Sequence, residues 1–292
     1  MKEEKFVHLC QPDSGKSCGA CCGLYNYADS TKESLVRRLK SRIRIFCETV
    51  KETADLKVFS DRIRGLESQK KLYDVIHCCE YLGFLDNEEK KVGCLLHPLQ
   101  NEGVDMRDVS FYGKELCDGH LCPSYHFISR EEKLSMIRII DDWYLYGLCI
   151  TDIDLVKEYF RFISEGIYEV PRPDRFEGRL RDIALRFFSL KISWPFRSTD
   201  TNRFGKYYFD GSQYMISCIN YDALGCERSK FDKMFLSLTS RFRTLEELRK
   251  GEEIIRENIE EFISCYKMGA VEQSRTSRSG AMLCQKRGLL KS

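Results

Sequence analysis

The residues best suited to grip a metal ion are gathered at one end of this chain. Of 15 cysteines in 292 residues, ten fall within the first 126, together with all five histidines. They come in short groups with long gaps between them: Cys10, then Cys18-Gly-Ala-Cys21-Cys22, then Cys78-Cys79, then Cys94-Leu-Leu-His97, then Cys117-Asp-Gly-His120-Leu-Cys122. Grouped soft ligands separated by long stretches are how a chain carries distant segments to one inorganic centre.

The remaining composition narrows the setting. A hydrophobic content of 42% supports an ordinary buried core, and a length of 292 residues allows about two domains. The formal charge is +2, from 47 basic and 45 acidic residues, so no strong field points to nucleic acid, and such contact is not expected. The start, Met-Lys-Glu-Glu-Lys-Phe-Val-His, lacks a signal-type apolar run, and no stretch of about 18 apolar residues exists to cross a bilayer. The expectation is a cytoplasmic protein with no membrane partner. Thiols there stay reduced, and an odd number of them argues for metal ligands and buried thiols over a disulfide framework.

Periodicity supplies the outline of the fold. Ser30-Thr-Lys-Glu33 has capping-box spacing ahead of Leu35, Val36, Leu39, Ile43 and Phe46, which predicts a helix over about 31–53. A second amphipathic stretch leads towards Leu72–Ile76. Two short strands with a polar connection are expected from Cys79-Glu-Tyr-Leu-Gly-Phe-Leu and Lys91-Val-Gly-Cys-Leu-Leu, with 98–128 irregular. Helix starts follow at Ser129-Arg-Glu-Glu132, Thr151-Asp-Ile-Asp154 and Thr244-Leu-Glu-Glu247, and Trp143, Tyr146, Tyr159, Phe160 and Ile163 should face a core. A further face runs through Leu180, Ile183, Phe187, Phe188 and Leu190, whereas 205–221 reads as strand or helix equally well. The fold class is therefore mainly α, with a small irregular cysteine-rich module containing short β-strands: 1–128 is the cysteine-cluster metal-binding module, 129–268 a helical region, and 269–292, polar and without apolar pattern, is expected to be a disordered tail.

A thiolate binds soft or borderline metals with a bond that a hydroxyl or amide cannot match, and a tetrahedral site needs four fixed ligands. Cys18 and Cys21 have CxxC spacing; Cys94 with His97 and Cys117 with His120 repeat that separation. Cys22 raises a geometric question, because adjacent side chains in extended backbone point to opposite faces. Nine clustered cysteines (Cys10, Cys18, Cys21, Cys22, Cys78, Cys79, Cys94, Cys117 and Cys122) exceed one four-ligand site and would fill two. Two centres, or one multinuclear centre, are expected ahead of a single ion, with His97 and His120 as additional candidate ligands.

These motifs resemble the YkgJ-like cysteine-cluster proteins, described as zinc- or iron-chelating domains: CxxCC near the N-terminus, a later cysteine before a short loop, a Gly-Cys-hydrophobic pair, and a closing Cys-x4-Cys-Pro. The resemblance covers about residues 8–126. It implies ligation by Cys18, Cys21, Cys22, one of Cys78 and Cys79, Cys94, Cys117 and Cys122, with Cys10 as an extra upstream cysteine. The chain departs from the pattern at Arg107, followed by Asp108 where many members have proline, and at His97, where tyrosine is common. The resemblance implies no established reaction and does not reach beyond residue 128.

The other cysteines have plainer readings. Cys47, Cys149, Cys218 and Cys265 lie beside apolar stripes and read as core, while Cys226 and Cys284 read as solvated thiols. His8, His77 and His126 are weaker ligand candidates still. Cys18-Gly-Ala-Cys21 lacks the strand and helix context of an active dithiol, and Gly15-Lys16-Ser17 lacks the earlier glycine of a phosphate-binding loop, whose position holds Cys10. Basic runs at Arg37–Arg44 and Arg172–Arg186 read as solvated helix faces. The expected function is metal binding, with zinc or an iron–sulfur cluster held by the module and no role assigned beyond that. The alternatives are an iron–sulfur or dithiol redox enzyme, and a zinc-stabilised scaffold whose helical region binds another protein.

Overall fold

A computed structural model describes residues 6–67, 70–200, 202–210 and 213–287, with side chains described as far as Gly269. The module opens with a loop and a 3-10 turn, Ala20–Cys22, before helix α1, Lys32–Thr49. Thr31, one residue later than the expected cap, accepts the Ser34 N–H through its side chain, and Leu35, Leu39, Arg42 and Ile45 form the buried stripe. Helix α2, Asp55–Leu66, packs on α1. It ends before Leu72–Ile76, which is irregular. Strands β1, Leu82–Phe84, and β2, Val92–Cys94, form the expected antiparallel hairpin, with Leu82 opposite Cys94. Two short helices, α3 (Gly113–Gly119) and α4 (Ser124–Phe127), complete the module.

The helical region comprises α5 (Arg130–Ile139), α6 (Trp143–Ile150), α7 (Ile153–Ile167), α8 (Gly178–Ser193), α9 (Tyr221–Leu224), α10 (Asp232–Ser237) and α11 (Leu245–Arg287). Ser129 and Glu132 form a reciprocal capping box on α5. Helix α11 lies on α7 and α8, where Tyr159, Phe187, Phe188 and Phe262 pack ring to ring. The backbone of α11 runs through the segment expected as a tail as far as Arg287; side chains from 270 onward, and all of 288–292, lie outside the described residues.

The ambiguous stretch resolves as strand. β3 (Arg203–Phe204), β4 (Tyr207–Asp210) and β5 (Gln213–Ile216) form an antiparallel meander, in which Phe209 faces Tyr214 and Tyr207 faces Ile216. Such aromatic and β-branched cross-strand pairs favour sheet over helix. Tyr73 of the module stacks on Phe209 at 5.1 Å.

Helix α6 joins the two regions. All eight of its residues are buried, as befits a helix apolar on every side. Tyr146, Cys149 and Ile150 enter the helical core, while Trp143, Tyr144 and Leu148 pack with Leu24, Tyr25, Leu35 and Phe84 of the module. Two of the four cysteines expected in the core sit elsewhere. Cys149 is buried and Cys265 half-buried, but Cys47 and Cys218 are exposed. Cys47 falls off the α1 stripe, which passes through Arg42 and Ile45. Among the described residues no helix is long and apolar enough to cross a membrane.

Candidate metal centre

Backbone hydrogen bonds gather the clustered cysteines from four separate stretches of chain. The Cys18 N–H donates to the Cys10 carbonyl at 2.8 Å, closing the first loop on itself. The turn at Ala20–Cys22 ends on Gly23, whose φ of +79° lies in the left-handed region. A Cβ there would stand 2.2 Å from the His77 carbonyl oxygen, so glycine is what lets the 77–79 backbone lie against this turn. The Cys79 N–H then donates to the Cys22 carbonyl at 2.9 Å, and the hairpin delivers Cys94 beside them.

Cys10, Cys18, Cys21 and Cys122 form one set of neighbouring thiols. The proximity of Cys21 and Cys122 is the leading cause both of the rise in the Cys21 pKa and of the fall in that of Cys122. The Tyr125 N–H donates to the Cys122 carbonyl at 2.9 Å, which starts the chain into α4. Desolvation pushes the Cys18 thiol up to about 12 and raises Cys10, each also feeling Cys122. The Ala20 N–H points at the Cys18 sulfur. Tyr125 braces the set: its hydroxyl donates to Cys10 Sγ at 3.5 Å while accepting the Leu9 and Cys10 N–H groups at 2.8 and 3.2 Å.

Cys22, Cys79, Cys94 and Cys117 form the second set. Desolvation, then the charges of Cys79, Cys94 and Cys117, hold the Cys22 thiol well above its ordinary value. Desolvation pushes Cys79 up to about 12 and raises Cys94, with nearby backbone groups pulling the other way; the His97 N–H donates to the Cys94 carbonyl at 3.2 Å. Arg107 brings a positive charge to Cys94 and is itself held by Asp105 at 2.7 Å and Asp118 at 3.0 Å. Cys117 lies on exposed α3, with Ser110 Oγ 3.8 Å from its sulfur.

Not every expected ligand joins these sets. Cys79 takes part and Cys78 does not: the latter is buried in the α1 core and accepts from Asn26 Nδ2 at 3.8 Å, as opposed side chains of adjacent residues require. His97 Nδ1 accepts the Leu99 N–H at 3.2 Å and so caps the turn Pro98–Gln100. Its basicity is lowered by desolvation first and Arg107 second, and its electrostatic neighbours are Arg107, Asp105, Asp118 and His8. His120 is exposed just after α3. Residue spacing gave no signal for His77 and Glu80 as a pair: His77 Nε2 lies 3.4 Å from Glu80 Oε2, with Glu80 buried and His77 half-buried. Glu80, with Oε1 on Arg64, is held down at about 2: desolvation opposes this, but the nearness of His77 and the Arg64 hydrogen bond outweigh it.

The chemistry open to these sets is thiolate coordination. Thiol pKa values this high belong to sulfurs withdrawn from water and crowded by one another, a state that a cation relieves by taking the protons' place. Backbone groups near Cys18, Cys79, Cys94 and Cys122 act against that burial and favour the charged sulfur. The raised Cys18 and Cys21 thiols are the reverse of the lowered one an active dithiol uses. Set against family models, curated proteins and solved structures, the chain finds no match.

Proposed function

We propose that this chain is a metal-binding protein with two four-thiolate centres, one made by Cys10, Cys18, Cys21 and Cys122 and the other by Cys22, Cys79, Cys94 and Cys117. The observation that carries this reading is that cysteines from segments as far apart as Cys10 and Cys122 come close enough to act on one another's thiols, Cys10, Cys18 and Cys21 with Cys122, and Cys22 with Cys79, Cys94, Cys117 and, more weakly, Cys18. Core cysteines have no reason to sort this way. The reading agrees with the YkgJ-like resemblance of residues 8–126, and adds Cys10 and the division between centres.

The occupant is zinc or an iron–sulfur cluster. Four sulfurs at about 2.3 Å from one tetrahedral ion stand roughly 3.8 Å apart. Among the described residues, the group with three ligand atoms within 4.8 Å of one another is His77, Cys79 and Glu80, and it contains no trio of sulfurs. Four cysteines can hold either occupant, and an iron–sulfur cluster would bring with it an electron-carrying role.

Anaerobic purification followed by metal and acid-labile sulfide analysis, with an absorption spectrum, tests this directly. Two centres per chain are expected, and chelation should unfold the module, because structural zinc contributes about 10–16 kcal/mol against a domain stability of about 5–15 kcal/mol. A metal-free chain with unchanged circular dichroism and eight freely reacting thiols would overturn the reading.

A further inference from the structure

We propose a third metal position beside the second quartet, built from His77 Nε2, Cys79 Sγ and Glu80 Oε2. A ring nitrogen of His77, the Cys79 sulfur and a carboxylate oxygen of Glu80 lie within 4.8 Å of one another, with Cys79 and Glu80 buried and His77 half-buried, and His77 Nε2 is 3.4 Å from Glu80 Oε2. Neither the cysteine spacing nor the two-quartet arrangement calls for His77 or Glu80.

Two orphaned atoms carry the assignment. His77 Nε2 and Glu80 Oε2 are both shielded from water and without a well-formed hydrogen bond, although they face each other at 3.4 Å. A buried polar atom left unmatched is costly, and an ion between them would satisfy both at once. The surroundings fix the donors. The His77 ring stacks on Phe111 at a centroid distance of 4.5 Å and meets Tyr112 edge-on at 5.6 Å. Arg64 takes Glu80 Oε1, turning the other oxygen inward. The Cys79 N–H bond to Cys22 fixes the third donor's backbone.

Nitrogen, sulfur and oxygen donors together suit a borderline divalent cation such as zinc, and three protein ligands leave a fourth position for water or another small ligand. The sulfur of Cys79 then bridges this ion and the second quartet. That bridging clause rests on the two-quartet reading; binding by His77 and Glu80 does not.

Zinc titration of the intact protein as purified, against a competing chelator, tests the site, with each variant's fold checked by circular dichroism. Wild type should bind one more zinc than the quartets account for. H77A and E80Q should each lose that one equivalent or weaken it at least tenfold, and H77Q, which keeps the ring's bulk in part, should do the same. C21S, which touches the first quartet alone, should leave it in place. Unchanged stoichiometry and affinity in H77Q and E80Q would overturn the site and leave His77 and Glu80 as an ion pair. Loss of zinc from C94S and C117S would still uphold the quartets in that case, so the two failures are distinguishable.

Discussion

Cys21 and Cys22 are joined by a single peptide bond, yet Cys122 is the group that acts most on the Cys21 thiol, whereas Cys79, Cys94 and Cys117, with Cys18 behind them, act on that of Cys22. Both lie in the tight 3-10 turn Ala20–Cys22, Cys21 exposed and Cys22 half-buried. Cys21→Ser should therefore empty the first centre and spare the second, Cys22→Ser should do the reverse, and Cys78→Ser should spare both. Metal content per chain measures all three. Equal losses from Cys21→Ser and Cys22→Ser would point to one shared centre.

Gly23→Ala should damage the module more than its size suggests. The new methyl meets the backbone at His77 O (2.2 Å) and Cys78 Cα (2.8 Å), where no side chain can swing away, and alanine does not favour the positive φ. Overpacking alone costs about 1–3 kcal/mol, with left-handed strain adding roughly 1–2 kcal/mol. Urea unfolding followed by circular dichroism reads the loss, and the separation of Cys22 from Cys79 should show as a fall in metal affinity.

Arg42 should be the charged residue on which the module most depends. Its side chain is 1% exposed and donates to Glu67, to the Cys79 and Leu82 carbonyls at 2.7 and 3.2 Å, and to Tyr27 Oη at 2.7 Å. Removing one member of a buried pair costs about 3–5 kcal/mol. Arg42→Met should fall towards the lower end, since Arg38 still pairs with Glu67. The shift in urea midpoint checks this, and Cys79 should become easier to alkylate.

Acid should loosen the helical region through Asp152. Burial alone would raise this carboxyl, but the charge and hydrogen bond of Lys191, with Ser237 Oγ at 2.8 Å, hold it below the reference 3.8. A depressed carboxyl contributes stability above its unfolded pKa and loses it as pH falls through the folded one. Melting temperature should therefore drop below about pH 4, and part of that drop should vanish in Asp152→Asn, which will also be less stable at neutral pH because Lys191 stays buried without its partner. Parallel pH profiles of the two proteins would settle the matter: identical slopes would remove Asp152 as a source.

Sequence patterns that act over a few residues translated well. The Ser129–Glu132 box, the apolar stripe of α1 and the hairpin around 86–91 depend on neighbours three or four positions away, or on a short polar connection. The stretch 205–221 was undecidable on that scale, because its strand character comes from cross-strand pairs such as Phe209 with Tyr214 and from the Tyr73 ring laid on Phe209. Cys47 was misjudged because periodicity leaves the edge of a buried stripe uncertain by one position, enough to turn a side chain outward.

The sequence by itself determined that soft ligands belong to the amino-terminal module and that helices make up the rest, since residue type and period are local properties. Only the tertiary structure decided that Cys79 and not Cys78 faces the other thiols, that Cys21 and Cys22 part company, and that His77 meets Glu80. Those outcomes depend on where chain segments tens of residues apart come to rest, and on which side of each backbone is buried when they do.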